Sequence, residues 1–215
     1  MHGEAGLRER KKRQTRELIA TTALRLFSER GFERVTVAEI ARAAEVSEAT
    51  VFNYFPTKED LVYGRLEVFE AALLDAVRGR APGESIPASL RRFLRDAGAL
   101  VDAGDTAARQ KLVEISRLIA GSPALRARER ETIDRYTQAL AGLIAEETGA
   151  RPDDAEPWVV ANALMGVHRA LVEYVRRQAL AGRLGPQLAR NVRTRADQAL
   201  TLLERGLAGY PGEPR

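Results

Sequence analysis

Three features of the 215-residue sequence predict an all-α protein. Apolar residues recur at helical spacing along most of the chain, whereas no segment alternates apolar and polar residues as a strand would. Helix-starting pairs occur at Ser122-Pro123 and at Gly185-Pro186. Residues 36–55 also indicate two short helices joined by a tight turn. We therefore expect about nine helices, arranged as an N-terminal three-helix helix-turn-helix domain followed by a larger helical domain.

The first helix is expected over residues 9–30, because Ile19, Ala23 and Phe27 share one face and Gly31 follows as a C-terminal cap residue. A basic run precedes these apolar positions. It comprises Arg8, Arg10, Lys11, Lys12, Arg13 and Arg16, against Glu4 and Glu9. Alone, such a run is typical of a solvated, frayed terminus. Beside a helix-turn-helix, a phosphate-binding or minor-groove arm is the better interpretation.

Residues 36–55, TVAEIARAAEVSEATVFNYF, contain the start signals of two helices. Thr36 precedes Glu39 by three residues, which is the spacing of a capping box, so a helix should begin there. Ser47 is a favourable N-cap residue and Glu48 places negative charge in the first turn, so a second helix should begin at about residue 48. The short separation leaves no room for a long loop, and the pair should form one rigid unit.

After this pair, Thr57 should cap a long helix over residues 57–80 that connects the two domains. Proline and glycine separate the remaining helices. These are expected over residues 88–103, from residues 104–105 onward, and over 122–148, 154–181 and 185–208. The last two carry the apolar seams of a dimer-forming pair. The predicted domains are residues 1–56 and 57–209, and residues 210–215 should form a disordered tail.

The amino-acid composition and the absence of several motifs limit the functions that this protein can have. The absence of cysteine excludes disulfides, thiolate metal sites and cysteine nucleophiles. No apolar run approaches the roughly 20 residues of a membrane span, and the first residues lack the apolar core of a secretory signal, so we expect a cytoplasmic protein. The sequence has one internal histidine, no HExxH motif, no phosphate-binding glycine loop and no clustered metal ligands. We therefore expect no catalytic residues, no metal site and no cofactor.

Residues 19–61 resemble the N-terminal domain of the TetR-type transcriptional regulators. The likeness rests on an apolar first helix, a Gly-Phe break, a Thr-started second helix and a final Thr-apolar-aromatic-x-Tyr-Phe-x-x-Lys pattern. Glu45 stands where the family's turn most often carries Gly, and Phe52 where its recognition helix most often carries Tyr. The resemblance implies a homodimeric, ligand-responsive DNA-binding regulator, most simply a repressor.

The resemblance and the residue chemistry together predict the DNA-binding residues. Asn53 could bond adenine through a bidentate pair, and Ala49 could touch a thymine methyl group. Lys58 offers an ammonium group for a phosphate. Glu48 could accept from cytosine N4, but a role at the helix dipole is favoured. The predicted set is Thr36, Ser47, Glu48, Ala49, Thr50, Asn53, Tyr54 and Lys58, with Arg10, Lys11, Lys12 and Arg13 of the basic run.

The larger domain is expected to enclose a mostly apolar cavity for a hydrophobic or amphipathic effector. The candidate lining residues are Phe93, Tyr136, Trp158, Asn162, Met165 and His168. A single histidine in an apolar helix is more often a hydrogen-bonded core residue than a ligand anchor, so both roles remain open for His168. The expected partners are a near-palindromic DNA operator, a second copy of the chain and the effector. The alternatives are a constitutive DNA-binding dimer without effector and a small helical enzyme.

Overall fold

The computed structural model describes residues 2–63, 66–101 and 106–206. Within these residues the regular structure is entirely helical, which confirms the all-α prediction. The described helices are α1 (His2–Arg30), α2 (Val37–Ala43), α3 (Glu48–Tyr54), α4 (Asp60–Tyr63), α5 (Leu66–Arg78), α6 (Ile86–Val101), α7 (Thr106–Gly121), α8 (Pro123–Thr148), α9 (Glu156–Leu180) and α10 (Pro186–Arg205). None of the helices in these ranges is long and apolar enough to cross a membrane.

The chain divides into two compact units. The first consists of Met1–Glu67 and Glu114–Glu129, and the second of Val68–Val113 and Arg130–Arg215. Helices α7 and α8 are therefore each divided between the two units. The predicted N-terminal domain ends at residue 56. The first unit is larger than that domain, because it also contains α4 and parts of α7 and α8.

The core of the first unit is built on the C-terminal half of α1. Ile19, Ala23 and Phe27 are fully buried on one face of this helix, as its periodicity predicts. Gly31 ends α1 with a φ of 86°, which a residue without a Cβ adopts at little cost. The chain then returns Phe32 onto Phe27, with 5.0 Å between the ring centroids. The next two helices pack on the core that this aromatic pair anchors.

Helix α2 begins at the predicted capping box. The Thr36 N–H donates to Glu39 Oε2 at 2.8 Å, and the Glu39 N–H donates to Thr36 Oγ1 at 3.2 Å. Arg30 Nη2, at the end of α1, donates to Glu39 Oε1 at 2.8 Å, so one carboxylate joins two helix ends. The bond from the Thr36 backbone, followed by that from Arg30, lowers the pKa of Glu39 to about 2. The carboxylate therefore stays ionised throughout the ordinary pH range.

A hydrogen-bonded turn at Glu45 connects α2 to α3. Glu45 has a φ of 54°, in the left-handed region where the family's usual Gly is unstrained. The Val46 N–H donates to the Ala41 carbonyl oxygen at 3.0 Å, and the Ala44 N–H donates to the Ile40 carbonyl oxygen at 2.9 Å. Ile40, Ala41 and Ala44 are buried. Their packing imposes a backbone conformation that costs a non-glycine residue about 1–2 kcal/mol.

The first turn of α8 also belongs to the first unit. Ser122 is buried, and its Oγ accepts from the Leu125 N–H at 3.2 Å, which is the predicted N-cap of this helix. The same hydroxyl donates to Glu33 Oε1 at 2.7 Å. One buried serine therefore starts α8 and binds it to the segment that follows α1.

Two further bonds tie the start of α8 to α4. Tyr63 Oη donates to the Leu125 carbonyl oxygen at 2.9 Å in a buried position. Arg128 Nη2 donates to Asp60 Oδ1 at 2.9 Å, while Asp60 Oδ2 accepts from the Thr57 N–H at 3.0 Å. The carboxylate that caps α4 thus also holds α8.

The second unit contains α6, α9 and α10 packed against one another. The buried residues of α9 are Pro157, Ala161, Leu164, Met165, Val167, Leu171 and Ala179, and those of α10 are Leu188, Ala189, Val192, Ala196 and Leu200. Ion pairs at the edge join α6 to α10, with Arg91 Nη2 at 2.8 Å from Glu204 Oε2 and Arg95 Nη2 at 2.9 Å from Asp197 Oδ2. Such half-exposed pairs fix orientation more than they add stability.

Two of the predicted helices differ in extent from the sequence-based expectations. Helix α1 begins at His2 instead of residue 9, because the added residues include strong helix formers such as Glu, Arg and Leu. The helix expected over residues 57–80 is described as α4 and α5, on either side of residues 64–65, which lie outside the described residues. The tail predicted over residues 210–215 also lies outside them. The starts at Pro123 and Pro186 agree with prediction to within one residue.

The strained turn gives a stability prediction. Glu45→Gly should raise the free energy of unfolding by about 0.5–1 kcal/mol, because relief of 1–2 kcal/mol of strain outweighs the added flexibility of the unfolded chain. Arg34→Gly is the matched control, since Arg34 is an exposed turn residue without a positive φ. It should lower stability by a similar amount. Urea unfolding of both variants checks this, and a destabilised Glu45→Gly would contradict it.

Candidate DNA interface

The N-terminus of α3 is fixed by Ser47. Its Oγ accepts from the Thr50 N–H at 3.0 Å and lies 2.8 Å from Thr50 Oγ1. The hydroxyl groups of these two residues, both predicted to bind DNA, are therefore bonded to each other at the start of the helix. Glu48 follows in the first turn, where its charge favours the positive end of the helix dipole.

The C-terminus of α3 is fixed by Arg16 of α1. Arg16 Nη1 donates to the Tyr54 carbonyl oxygen at 3.3 Å, and the guanidinium carbon lies 4.8 Å above the centre of the Phe55 ring. The sequence groups Arg16 with the basic run, but in the structure it stabilises the end of α3. A signal for this role is present in the sequence, because Arg16 precedes Ile19 by three residues on the buried face of α1.

The outward face of α3 carries Glu48, Ala49, Phe52 and Asn53, all of which are exposed. Val51 lies beneath them, 1% exposed. Ala49 and Asn53 are one turn apart, so a methyl group and an amide point away from the core side by side. In the sequence Phe52 stands out only as a departure from the family's pattern. The structure adds it to this face with 46% of its surface exposed.

Two other residues predicted to bind DNA, Thr36 and Tyr54, make contacts within the protein. The Thr36 hydroxyl donates to Glu39 Oε2 at 2.9 Å while accepting from the Glu39 N–H, so it completes the cap of α2. Tyr54 is partly buried against the core of the first unit, as expected for a ring that packs on α1. Their contacts with DNA stay predictions.

Lys58 lies in the turn ahead of α4, whereas the sequence predicts it within a helix. Its Nζ is 4.3 Å from the centre of the Phe32 ring and 5.8 Å from that of Phe27. Burial lowers the pKa of Lys58, while nearby carboxylates, chiefly Glu33, act in the opposite direction. The ammonium group therefore rests on the aromatic pair of the core, and a phosphate contact would draw it off these rings.

The basic run lies on α1. Arg10, Lys11, Lys12 and Arg13 are exposed residues of this helix. The run is thus a helical extension and not an extended arm, since the buried half of α1 provides a folded helix onto which these residues add.

The six predicted effector-binding residues lie in the second unit at different depths. Tyr136 and Met165 are buried, at 1% and 2% exposure. Phe93 is partly buried. Tyr136 and Met165 therefore lie in the interior, where the lining of a cavity is expected.

Trp158 and Asn162 lie elsewhere than expected. Trp158 is 49% exposed, and Asn162 is exposed with its Nδ2 donating to the Trp158 carbonyl oxygen at 2.7 Å. The two are four residues apart on α9, so they are neighbours on an exposed part of its surface. Within this chain they therefore do not join Tyr136 in the interior. Because α9 is apolar around much of its circumference, the sequence does not specify which of its residues face the interior.

His168 is mostly buried in α9, and loss of hydration lowers its pKa to about 4. The imidazole is thus neutral near pH 7. Both of its predicted roles, core residue and ligand anchor, accept a neutral imidazole.

A cleft of about 380 Å³ is present in the first unit. It is lined by Phe27, Ser28, Gly31, Phe32, Glu33, Arg34, Glu114, Arg117, Leu118, Gly121 and Ser122. None of the predicted effector residues is among them. Sequence reasoning misses this cleft because it forms between two segments that are far apart in the chain.

Comparisons with known proteins agree with this geometry. Residues 19–63 match the family described as bacterial regulatory proteins, tetR family, and residues 84–208 match the MftR C-terminal domain. The HTH-type transcriptional regulator TcmR of Streptomyces glaucescens is 31% identical over 151 residues, which are 69% of this chain and 67% of that protein. The regulator MftR of Mycobacterium tuberculosis, whose name refers to mycofactocin biosynthesis, is 27% identical over 77% of this chain and 81% of its own length.

Solved structures have the same fold. A TetR-family regulator from Syntrophomonas wolfei aligns with a TM-score of 0.58 and 19% identity, over 89% of this chain and 97% of its own. The TetR-family repressor FadR of Thermus thermophilus, solved in complex with lauroyl-CoA, aligns with a TM-score of 0.51 and 25% identity, over 93% of this chain and 100% of its own.

The neutral His168 gives a prediction of pH dependence. Its folded pKa of about 4 lies below the unfolded value, so its contribution is fully present above about pH 6.5 and is lost as the pH falls towards 4. Between pH 7 and pH 4.5 the wild type should lose about 2–3 kcal/mol of stability through this residue. His168→Gln and His168→Leu should both lose less over that interval. Urea unfolding at the two pH values measures the difference, and parallel losses in all three proteins would contradict the prediction.

Proposed function

Because the chain belongs to the TetR family of bacterial regulatory proteins and is thus a DNA-binding transcriptional regulator, we propose that it acts as a homodimeric repressor. A small hydrophobic or amphipathic effector releases it from a near-palindromic operator. The relatives TcmR and MftR are regulators and not enzymes, which argues against the helical-enzyme alternative. The protein works in the cytoplasm, where its DNA lies.

One observation carries this proposal. Helix α3 is fixed at both ends and underneath, and it presents Ala49 and Asn53 outward. A rigid helix with a small methyl and an amide on its free face suits the floor of the major groove. The proposed DNA-binding residues are Thr36, Ser47, Glu48, Ala49, Thr50, Asn53, Tyr54 and Lys58, with Arg10, Lys11, Lys12 and Arg13 on α1. Of these, Asn53 and Ala49 read base edges, whereas Lys58 and the α1 cations contact phosphates.

The proposed dimer forms through α9 and α10. Support comes from apolar side chains that remain exposed in the second unit. On α9, Trp158, Val159 and Leu180 are 49%, 65% and 43% exposed, and on α10 Leu202 is 38% exposed. Large apolar side chains that a single chain leaves in water are typical of protein interfaces. A two-fold dimer presents its two recognition helices by the same symmetry, which is why the operator should be near-palindromic.

Helix α8 gives the effector signal a physical route. Its first two turns are bonded within the first unit through Ser122, Leu125 and Arg128. The residues from Arg130 onward belong to the second unit, where Tyr136 is buried. A shift of α8 on effector binding would pull directly on the partners of its first two turns. The two recognition helices must stand about 34–36 Å apart to enter successive major grooves, so a small displacement would prevent simultaneous docking.

The effector proposal rests on chemistry and on one relative. The proposed binding residues are Phe93, Tyr136, Trp158, Asn162, Met165 and His168, which combine an apolar lining with few polar groups. FadR of Thermus thermophilus was solved with lauroyl-CoA, an amphipathic molecule. Trp158 and Asn162 would join the others only by rearrangement of α9 or from the partner subunit. The competing function is a constitutive DNA-binding dimer, which needs no effector site.

The DNA-binding function is tested by selecting duplexes from a random pool with the purified protein. We expect one enriched sequence with two-fold symmetry, bound by two chains as measured by sedimentation. Enrichment of a single asymmetric half-site bound by one chain would overturn the dimer. No enrichment at all would overturn specific DNA binding.

Asn53→Ala and Lys58→Met should affect this binding differently. Asn53→Ala should relax preference at one or two base positions per half-site by about 1–3 kcal/mol each, because it removes a base-reading amide. Lys58→Met keeps the aliphatic stem over the rings and removes the charge. It should weaken all duplexes alike and reduce the slope of log K against log salt by about one unit for each phosphate that is no longer neutralised.

Lys111→Ala is the matched control, since Lys111 is an exposed lysine of the second unit. Its salt slope should equal that of the wild type. If Asn53→Ala and Lys58→Met changed specificity and salt dependence equally, the division between a base reader and a phosphate-binding residue would be wrong.

Effector release is tested with lauroyl-CoA as the probe, and with lauric acid and free CoA as controls. A ligand that binds the folded protein at 100 times its Kd should stabilise it by about 2.7 kcal/mol, and it should lower operator affinity if it favours the released conformation. We expect the intact amphiphile to do both. If none of the three raises the melting temperature while operator binding is intact, an acyl-CoA effector is excluded. Binding without loss of operator affinity would favour the constitutive alternative.

A further inference from the structure

Phe52 is the one large apolar side chain on the outward face of α3, with 46% of its surface exposed. Phe52 is not among the buried residues of α3 or those that pack on the core of the first unit. Val51 and Phe55, which point inward, are each 1% exposed and supply the apolar packing of the helix. Ala49 and Asn53 lie beside Phe52 on the free face. A benzyl group in this position leaves water only when another molecule packs against α3.

The chemistry of the major groove limits what a benzyl group can recognise there. Base edges present hydrogen-bond donors and acceptors, and the C5-methyl group of thymine is their one apolar projection. A phenyl ring against a purine edge or a cytosine amino group would remove a polar atom from water without bonding it, which is unfavourable. A phenyl ring against the thymine methyl buries two apolar surfaces.

We propose that Phe52 is a specificity-determining residue that selects thymine in each half-site by packing against its C5-methyl group. This inference rests on the proposed DNA-binding function and adds a residue outside the DNA-binding set proposed for it. A tyrosine in this position could instead donate to a phosphate. The absence of the hydroxyl thus converts an interaction with the backbone into one that depends on the base.

The position of Phe52 also restricts which thymine it reads. Phe52 and Asn53 are adjacent in the chain and share the outward face with Ala49. The Cα atoms of adjacent residues are about 3.8 Å apart, and successive base pairs are about 3.4 Å apart along the axis. The selected thymine therefore lies within about two base pairs of the base that Asn53 reads.

The experiment replaces each thymine of the selected operator with uracil, one position at a time and symmetrically in both half-sites. Uracil differs from thymine only in lacking the C5-methyl group. Burying one methyl group is worth about 0.8 kcal/mol, or about fourfold in affinity, so the symmetric replacement should weaken wild-type binding about fifteenfold at one position. At that position Phe52→Ala should bind thymine and uracil duplexes equally.

Two variants serve as controls. Asn53→Ala should retain the thymine-to-uracil ratio at this position, because Asn53 reads a different base. Phe52→Leu should retain part of the ratio, since leucine keeps an apolar surface. Salt slopes of Phe52→Ala and wild type should be equal because the phosphate-binding residues are unchanged. All variants should have the same melting temperature as the wild type, since Phe52 is not part of the core.

The possible failures are distinguishable. If no duplex is enriched by selection, the proposed DNA-binding function fails and this role of Phe52 fails with it. If an operator is enriched but no uracil replacement weakens wild-type binding, only the role of Phe52 is overturned. A thymine-to-uracil ratio that survives in Phe52→Ala would also overturn it, and would assign recognition of the methyl group to another side chain.

Discussion

Helix α3 is only seven residues long, and a helix of that length is unstable in water by itself. Its conformation therefore depends on what surrounds it. Ser47 supplies the missing acceptor at one end, and Arg16 occupies the carbonyl end. Val51 and Phe55 bury the inner face. The outward residues Ala49, Phe52 and Asn53 take no part in these contacts, so they are available to a partner molecule.

The start of α8 is likewise fixed by a few specific contacts. Three polar groups of the first unit, from Glu33, Tyr63 and Asp60, meet the first two turns of α8 and its N-cap. Each of these bonds joins residues more than sixty positions apart in sequence. Buried or half-buried polar bonds have strict geometric requirements, so they permit few arrangements of these turns. Such an element responds to a shift by changing its partners and not by bending gradually.

Local signals in the sequence predict most of the helices. Thr36, Gly31 and the prolines at 123 and 186 act on the backbone within a few residues, so their effects are readable without a fold. The aromatic partners of Arg16 and Lys58 are not readable in this way, because both depend on which ring the fold brings beneath the cation. The exposure of Trp158 cannot be predicted from the sequence either, since the periodicity of α9 does not specify which of its apolar residues are buried.

The continuity of α1 determines how far its cations extend. A helix rises about 1.5 Å per residue, whereas an extended strand covers about 3.3 Å per residue. Arg10 is six residues from Arg16 and thus stands about 9 Å from it along the axis, and not about 20 Å as in an extended segment. A rod of this length does not wrap around the duplex into a neighbouring minor groove. The spacing of its charges is set by the helical turn, and in the proposed complex they would lie along a single sugar-phosphate strand.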